Sequence, residues 1–136
     1  MTFPYQKGQL CARLAADAAE LRACQGLRHL CFYGREGVDA DPLDPHFQHL
    51  MIHDRAGALR ATLRFRLAQT AGDLAQGYVA QYYDLSGWQA HTGPFLEIGR
   101  FCSAPGDLDA DLLRMLWGAL TRIVCARLES QSQLLL

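Results

Sequence analysis

The sequence predicts an α/β domain in which a mixed sheet carries a helix near each end. Several short segments alternate apolar and polar residues, as strands do, and two longer segments repeat apolar residues at helical spacing. Strands interleaved with helices along 136 residues are typical of one domain built on one core. We therefore expect residues 1–136 to form a single domain.

The composition is that of an ordinary globular protein. Half of the residues are hydrophobic, 20% are charged, and 13 basic against 14 acidic residues leave a net charge of −1, which gives no footprint for binding nucleic acid. No apolar run approaches the roughly 20 residues that span a bilayer, and the N-terminal segment lacks the apolar core of a secretory signal. We expect a cytoplasmic protein whose scattered cysteines are reduced thiols.

The N-terminal segment predicts a strand followed by a helix. Residues 9–14 alternate apolar and polar side chains. Asp17, with Glu20 three positions later, is typical of a helix N-cap with a capping box. Apolar residues then recur at helical spacing up to the region of Gly34, namely Ala18, Leu21, Cys24, Leu27, Cys31 and Phe32.

The segment from Gly34 to Pro45 predicts an acidic loop, because it holds two prolines, two glycines and four acidic residues. Loops of this length are often functional. Asp41 and Asp44 could grip an ammonium or guanidinium group of a substrate. Alternatively, they form turns in a solvated loop.

A hairpin is predicted next, with strands at residues 47–53 and 58–68 around the turn Asp54–Gly57. The second strand places apolar residues on one face and Arg60, Thr62, Arg64 and Arg66 on the other. Arg64 could pair with the loop carboxylates, bind a substrate carboxylate, or form an ordinary surface ion pair.

Further strands are predicted at residues 78–85 and 95–102. The latter carries Glu97 and Arg100 in an otherwise apolar run around Gly99. Burying either charge alone is costly, and a glycine inside a strand indicates a bulge or a close approach of another backbone. This favours a functional pair, with a structural ion pair as the alternative.

The C-terminal part predicts a second helix and the start of a strand. An apolar stripe runs from Leu108 to Leu128, with Asp107 or Asp109 as its cap. Residues 133–136 then have the pattern of a buried strand.

The common nucleotide, hydrolase and zinc motifs are missing from the sequence. His49 and His53 are four residues apart, but no third ligand is evident, so we expect no metal site.

Four short motifs resemble the long-chain acyltransferase branch of the GNAT superfamily. They are L-R-H-L-C-F at residues 27–32, D-P-L-D at 41–44 followed by Q-H-L-M-I, A-T-L-R ending at Arg64, and L-E-I-G-R-F-C at 96–102. This branch contains the ornithine-lipid (hemolysin-like) N-acyltransferases and the acyl-homoserine lactone synthases. The resemblance implies a GNAT-like, mostly antiparallel sheet flanked by helices, which would be incomplete at its C-terminus in this chain.

The resemblance also implies which residues form the active site. The N-terminal part of the family's active site falls on Arg28 and Phe32, and the family's acidic loop falls on Asp41 and Asp44. The family's basic strand residue falls on Arg64, and its glutamate and arginine fall on Glu97 and Arg100. His49 and L-W-G-A-L at residues 116–120 fit the ornithine-lipid branch, whereas Val38 stands where many lactone synthases carry tryptophan. Residues 106–111 are acidic where a pyrophosphate loop would be, which favours acyl carrier protein over acyl-CoA as the donor.

We therefore expect transfer of a fatty acyl group from acyl carrier protein to the amine of an amino acid, in particular L-ornithine, with no bound cofactor. Glu97 would act as the base or relay, Asp41 and Asp44 would orient the acceptor, and Arg64 or Arg100 would bind its carboxylate. Backbone amides from Phe101 through Cys102 to Ser103 would bind the thioester oxygen. The alternatives are a lactone synthase or a non-catalytic module that binds acyl carrier protein. A lipid product implies transient contact with the inner membrane face, and an open sheet edge could support a homodimer.

Overall fold

The computed structural model describes residues 4–77, 79–88, 94–106 and 109–135. The strands are β1 (Tyr5–Lys7), β2 (Leu10–Leu14), β3 (Gln48–Asp54), β4 (Leu59–Ala68) and β5 (Phe95–Ser103). The helices are α1 (Ala18–Tyr33), α2 (Ala71–Leu74), α3 (Val79–Tyr82) and α4 (Ala110–Leu135), with short 3-10 turns at Asp44–His46 and Ser86–Trp88.

The strands form one sheet in the order β1-β2-β3-β4-β5, and each neighbouring pair is antiparallel. The predicted α/β fold is therefore confirmed, including the hairpin of β3 and β4. The first strand, β1, was not predicted, because it has only three residues. It is held against α4 by Tyr5, whose ring lies 3.5 Å from the guanidinium carbon of Arg122.

The two faces of the sheet differ in chemistry. One face packs on α4 and forms the apolar core, which contains Leu10, Ala12, Leu50, Ile52, Ala61, Leu63, Phe65, Leu112, Met115, Leu116, Ala119, Leu120 and Ile123. The other face packs on α1, whose fully buried residues are Cys24 and Arg28. Since strand side chains alternate between faces, the arginines of β4 all point to the α1 face. The polar chemistry of the fold is thus concentrated between α1 and the sheet.

Helix α1 begins and ends as predicted. The Asp17 carboxylate accepts a hydrogen bond from the N–H of Glu20 (2.8 Å), as an N-cap does, and the Glu20 carboxylate accepts one from the N–H of Ala16 (3.0 Å), the residue before the cap. The helix ends at Tyr33 and is capped by Gly34, which has a φ of 71° and donates its N–H to the Leu30 carbonyl.

Two strand predictions are wrong. Residues 79–82, within the predicted strand at 78–85, form α3 instead, because β4 pairs directly with β5 and leaves no position for a strand between them. The predicted strand at residues 133–136 is the end of α4 as far as Leu135. No proline interrupts residues 110–135, so the helix can continue as far as Leu135.

The structure also decides part of the predicted cap of α4. The Asp109 carboxylate accepts a hydrogen bond from the N–H of Leu112 at 2.8 Å, which identifies Asp109 as a cap. Asp107, Leu108, residue 78 and Leu136 lie outside the described residues.

Candidate active site

Strand β5 contains a bulge in the middle of the predicted functional segment. Its register with β4 pairs Gly99 with Arg64 and Cys102 with Thr62, so that Arg100 and Phe101 together lie opposite Leu63. A bulge near Gly99 was expected from the sequence. The left-handed residue, however, is Arg100, with a φ of 51°, and this conformation costs a non-glycine residue about 1–2 kcal/mol.

Next to this bulge lies a charged cluster, which we define as Arg28, Arg64, Arg100, Asp39, Asp41 and Asp44. Asp44 is at its centre and only 2% exposed. Its carboxylate accepts hydrogen bonds from Arg28 at 2.9 and 3.0 Å and from Arg64 at 3.0 Å. Gln25 donates a further hydrogen bond at 2.9 Å. Asp44 is therefore a buried anion with two arginine partners rather than a residue of a solvated loop.

The outer part of the charged cluster joins the acidic loop to β5. The Asp41 carboxylate lies 3.3 Å from Arg64 and accepts a hydrogen bond from Arg100 at 2.7 Å. Asp39 accepts hydrogen bonds from Arg28 through its carboxylate at 3.0 Å and its carbonyl at 2.6 Å. The arginines and aspartates balance in charge, as burial requires.

Local sequence explains why the acidic loop folds onto the sheet. Pro45 occupies the start of the short turn at Asp44–His46, where its missing N–H costs nothing. The N–H of Asp44 donates to the Asp41 carbonyl at 2.9 Å. Phe47 then places its ring 4.5 Å from the guanidinium carbon of Arg64. The loop thus presents both carboxylates to the arginine side chains of the sheet.

The charged cluster keeps its carboxylates ionised. Burial by itself would raise the pKa of Asp44, but hydrogen bonds from Arg28 and Gln25 outweigh it and hold the pKa well below the ordinary 3.8. Burial likewise opposes the lowered pKa of Asp41, whose charged form is stabilised by the N–H of Leu43 and by Arg100. Both groups are anions at neutral pH.

His49 lies under the acidic loop, directly opposite Arg64 in the sheet. Its Nε2–H donates to the Asp44 carbonyl at 3.1 Å, while Nδ1 has no hydrogen-bond partner among the described residues. Burial lowers the pKa of His49 below its ordinary value of 6.5, so the ring is neutral at neutral pH. The predicted site histidine thus supports the backbone of the loop.

Glu97 is paired across the sheet with Arg66, an arginine outside the charged cluster. Its buried carboxylate accepts a hydrogen bond from Arg66 Nε at 2.9 Å. Arg66 also donates to the Asp73 carbonyl. Sequence reasoning did not single out Arg66, although the signal was present: it lies two residues after Arg64 on the same face of the strand.

The remaining predicted residues lie between α1 and the end of β5. Phe32 is 45% exposed near the end of α1. Cys102 is buried, and its pKa is raised by burial and by the neighbouring thiol of Cys31. The Cys31 thiol donates to the carbonyl of Ser103 at 2.9 Å. These contacts join the end of α1 to β5, just after the bulge.

An apolar groove opens on the opposite face of β5. Its volume is about 230 Å³, and it is lined by Leu63, Ile98, Phe101, Leu113, Leu116, Trp117 and Leu120. Trp117 is 67% exposed, and three further lining residues are exposed as well. Since Phe101 belongs to the bulge and also lines the groove, the bulge connects the apolar groove with the charged cluster.

Two further features concern metals and membranes. Over the described ranges, no group of three or more histidine, cysteine, aspartate or glutamate side chains is placed to hold a metal ion. Within the same ranges, no helix is both long enough and apolar enough to cross a membrane.

Comparisons with known proteins agree with this architecture. The model of the acetyltransferase (GNAT) domain family matches residues 27–118, which include the whole charged cluster and the bulge. A similar curated protein is the L-ornithine N(alpha)-acyltransferase of Rhodobacter capsulatus, which is 31% identical over 131 residues. That alignment covers 84% of this chain and 51% of the relative, so the chain spans about half the length of the curated relative it matches. No solved structure matches the chain. The resemblance predicted from the four motifs is thereby confirmed, and the chain belongs to the GNAT acetyltransferase domain family.

Proposed function

We propose that this chain catalyses N-acylation, in which a fatty acyl group is transferred to the α-amine of L-ornithine. The observation that carries the proposal is the bulge of β5, which has the charged cluster on one side and the apolar groove on the other. A reaction between a polar amine and an apolar acyl chain needs such a junction. The similarity to an ornithine N-acyltransferase supports the choice of acceptor.

The groove supports a fatty acyl donor rather than an acetyl donor. Burying one methylene group is worth about 0.8 kcal/mol, so the binding of an acyl chain in the apolar groove becomes stronger with each methylene group that it buries. An acyl chain whose thioester lies at Phe101 would continue along α4, past Leu113 and Trp117. An acetyl group would leave this surface in contact with water.

GNAT acyltransferases take the acyl group from a donor co-substrate, and here we propose acyl carrier protein. In an acyl-CoA enzyme the N-terminus of a helix can bind the pyrophosphate. In this chain the carboxylate of Asp109 already accepts the N–H of Leu112 at the start of α4. Asp111 adds a second acidic residue to the same turn. A carrier protein presents its thioester on a phosphopantetheine arm without a pyrophosphate, and therefore avoids this repulsion.

We assign the acceptor carboxylate to Arg100, the most exposed arginine of the charged cluster at 26%. The carboxylates of Asp41 and Asp44 are occupied by the chain's own arginines, so their part is to hold Arg64 and Arg100 in place. Backbone amides from Phe101 to Ser103 would bind the thioester oxygen as negative charge develops on it.

The chemical step would be a direct transfer. The neutral amine attacks the thioester carbon, the C–N bond forms, the C–S bond breaks, and the carrier sulfur leaves as a thiolate. The proton lost by the amine passes to Glu97, directly or through one water molecule, and from Glu97 to the thiolate, which leaves the carrier thiol free. Glu97 can take this part because it lies on the bulged strand itself, where its carboxylate is buried and held by Arg66.

The experiment that tests this function uses palmitoyl acyl carrier protein and a panel of amino acids, with mass spectrometry of the products. We expect N-palmitoyl-ornithine from the wild-type protein and little from Glu97→Gln. The exposed Glu36→Gln variant is the matched control and should retain activity. Tight binding of the carrier protein without product from any amine would instead support a non-catalytic module.

A further inference from the structure

Glu97 is the buried carboxylate on which the proposed reaction depends, and its position is determined by two residues outside the predicted site. The first is Arg66 on β4, which lies opposite Glu97 in the sheet. Its Nε donates to Glu97 Oε2 at 2.9 Å, and its Nη2 donates to the Asp73 carbonyl. The guanidinium is therefore fixed at both ends, between β5 and the segment that follows β4.

The second residue is Gly77, which is buried and closes the segment after α2 over Glu97. Its N–H donates to the Leu74 carbonyl at 3.1 Å. A Cβ atom on residue 77 would overlap Glu97 Oε2 and would lie 2.7 Å from Glu97 Cδ and 2.8 Å from Arg66 Nη2. The φ angle of Gly77 is not in the left-handed region, so a side chain at this position would displace the ends of Glu97 and Arg66 without straining its own backbone.

We propose that Arg66 and Gly77 are positioning residues for Glu97. Arg66 supplies the opposite charge that a buried carboxylate requires and orients it through Oε2. Gly77 leaves free the space that the carboxylate occupies, between the backbone of residues 73–77 and β5. The inference rests on the proposed function, because the two residues would hold the Glu97 carboxylate at the place where it accepts the proton from the attacking amine.

The geometry can be tested without any activity, through the thermal unfolding of Gly77→Ala. The matched control is Gly72→Ala in the same segment, where a Cβ atom would meet only Thr70 Oγ1 at an ordinary 3.6 Å. We expect Gly77→Ala to lower the unfolding temperature more than Gly72→Ala does. The extra loss should shrink when Glu97 is also replaced by alanine, which removes the overlapping carboxylate. Gly72 lies inside α2, where alanine is favoured over glycine by about 1 kcal/mol, so the double variant is decisive. An extra loss that persists unchanged when Glu97 is alanine would overturn the proposal.

The functional part is tested by steady-state kinetics of Arg66→Met and Arg66→Lys in the full chain. Because a misplacement of about 1 Å can cost roughly 100-fold in rate, we expect kcat of Arg66→Met to fall by about that factor. The KM for the amine should change little, and Arg66→Lys should recover part of kcat, since it restores the charge. A folded Arg66→Met protein with wild-type kcat would overturn the positioning role. If the wild-type protein forms no acyl-amide, the proposed function fails, whereas the unfolding comparison still decides the geometry around Glu97.

Discussion

Replacing Asp44 with asparagine tests the charged cluster directly. The carboxylate is 2% exposed and accepts hydrogen bonds from Arg28, Arg64 and Gln25. Asparagine keeps the shape but removes the charge, so two buried guanidinium groups lose their shared partner. Breaking a buried ion pair from one side costs about 3–5 kcal/mol. This is a large part of the roughly 5–15 kcal/mol by which a typical domain is stable.

The assay is urea unfolding followed by circular dichroism, with thermal unfolding in parallel. For a chain of this size each kcal/mol corresponds to about 3–5 °C, so Asp44→Asn should lower the unfolding temperature by roughly 10–20 °C. The control is Asp111→Asn, because Asp111 forms an exposed i,i+3 pair with Arg114 at 2.6 Å. Such a pair is worth at most about 0.5 kcal/mol. A loss below about 1 kcal/mol for Asp44→Asn would refute the reasoning.

Three further predictions concern the surroundings of the charged cluster. Because burial lowers the pKa of His49 below 6.5, the unfolded chain binds a proton before the folded chain does, so stability falls as the pH drops below about 6.5. His49→Gln should reduce this fall in urea unfolding at a series of pH values, and an unchanged slope would contradict the burial argument. Arg100→Gly should be more stable than Arg100→Ala by about 1 kcal/mol in urea unfolding, since residue 100 has a φ of 51°; equal stabilities would argue against backbone strain at the bulge. Trp117→Ala should lower kcat/KM for palmitoyl donors by about tenfold and leave butyryl donors nearly unchanged, because the lost apolar contact acts only on long chains. Val124→Ala, on the same helix outside the groove, is the control, and an equal effect on both donors would place the acyl chain elsewhere.

Much of the fold could be predicted because local signals were strong. Asp17 and Gly34 mark the ends of α1 by capping chemistry, and the alternation in β4 separates its apolar face from its arginines. The short segments could not be predicted in this way. Residues 79–82 carry a β-branched residue and tyrosine, which favour strands. They nevertheless form α3, because β4 pairs directly with β5 and leaves no place for a strand between them.

The sequence indicates which charged residues could form a site, but it leaves most of their contacts open. Arg64 pairs with the carboxylates of Asp41 and Asp44, which is one of the three alternatives that the sequence left open for it. Glu97, by contrast, has Arg66 as its partner across the sheet, and such a partner depends on register. The sequence signals a bulge near residue 99, but it does not reveal how the bulge shifts that register.

The most direct test of the central claim is the product formed from palmitoyl acyl carrier protein and ornithine labelled with ¹⁵N at the α-amine. The proposed function predicts N-palmitoyl-ornithine with the label in the amide nitrogen, formed at a rate that depends on Glu97. The absence of labelled amide, with a folded protein that still binds the carrier protein, would contradict the claim.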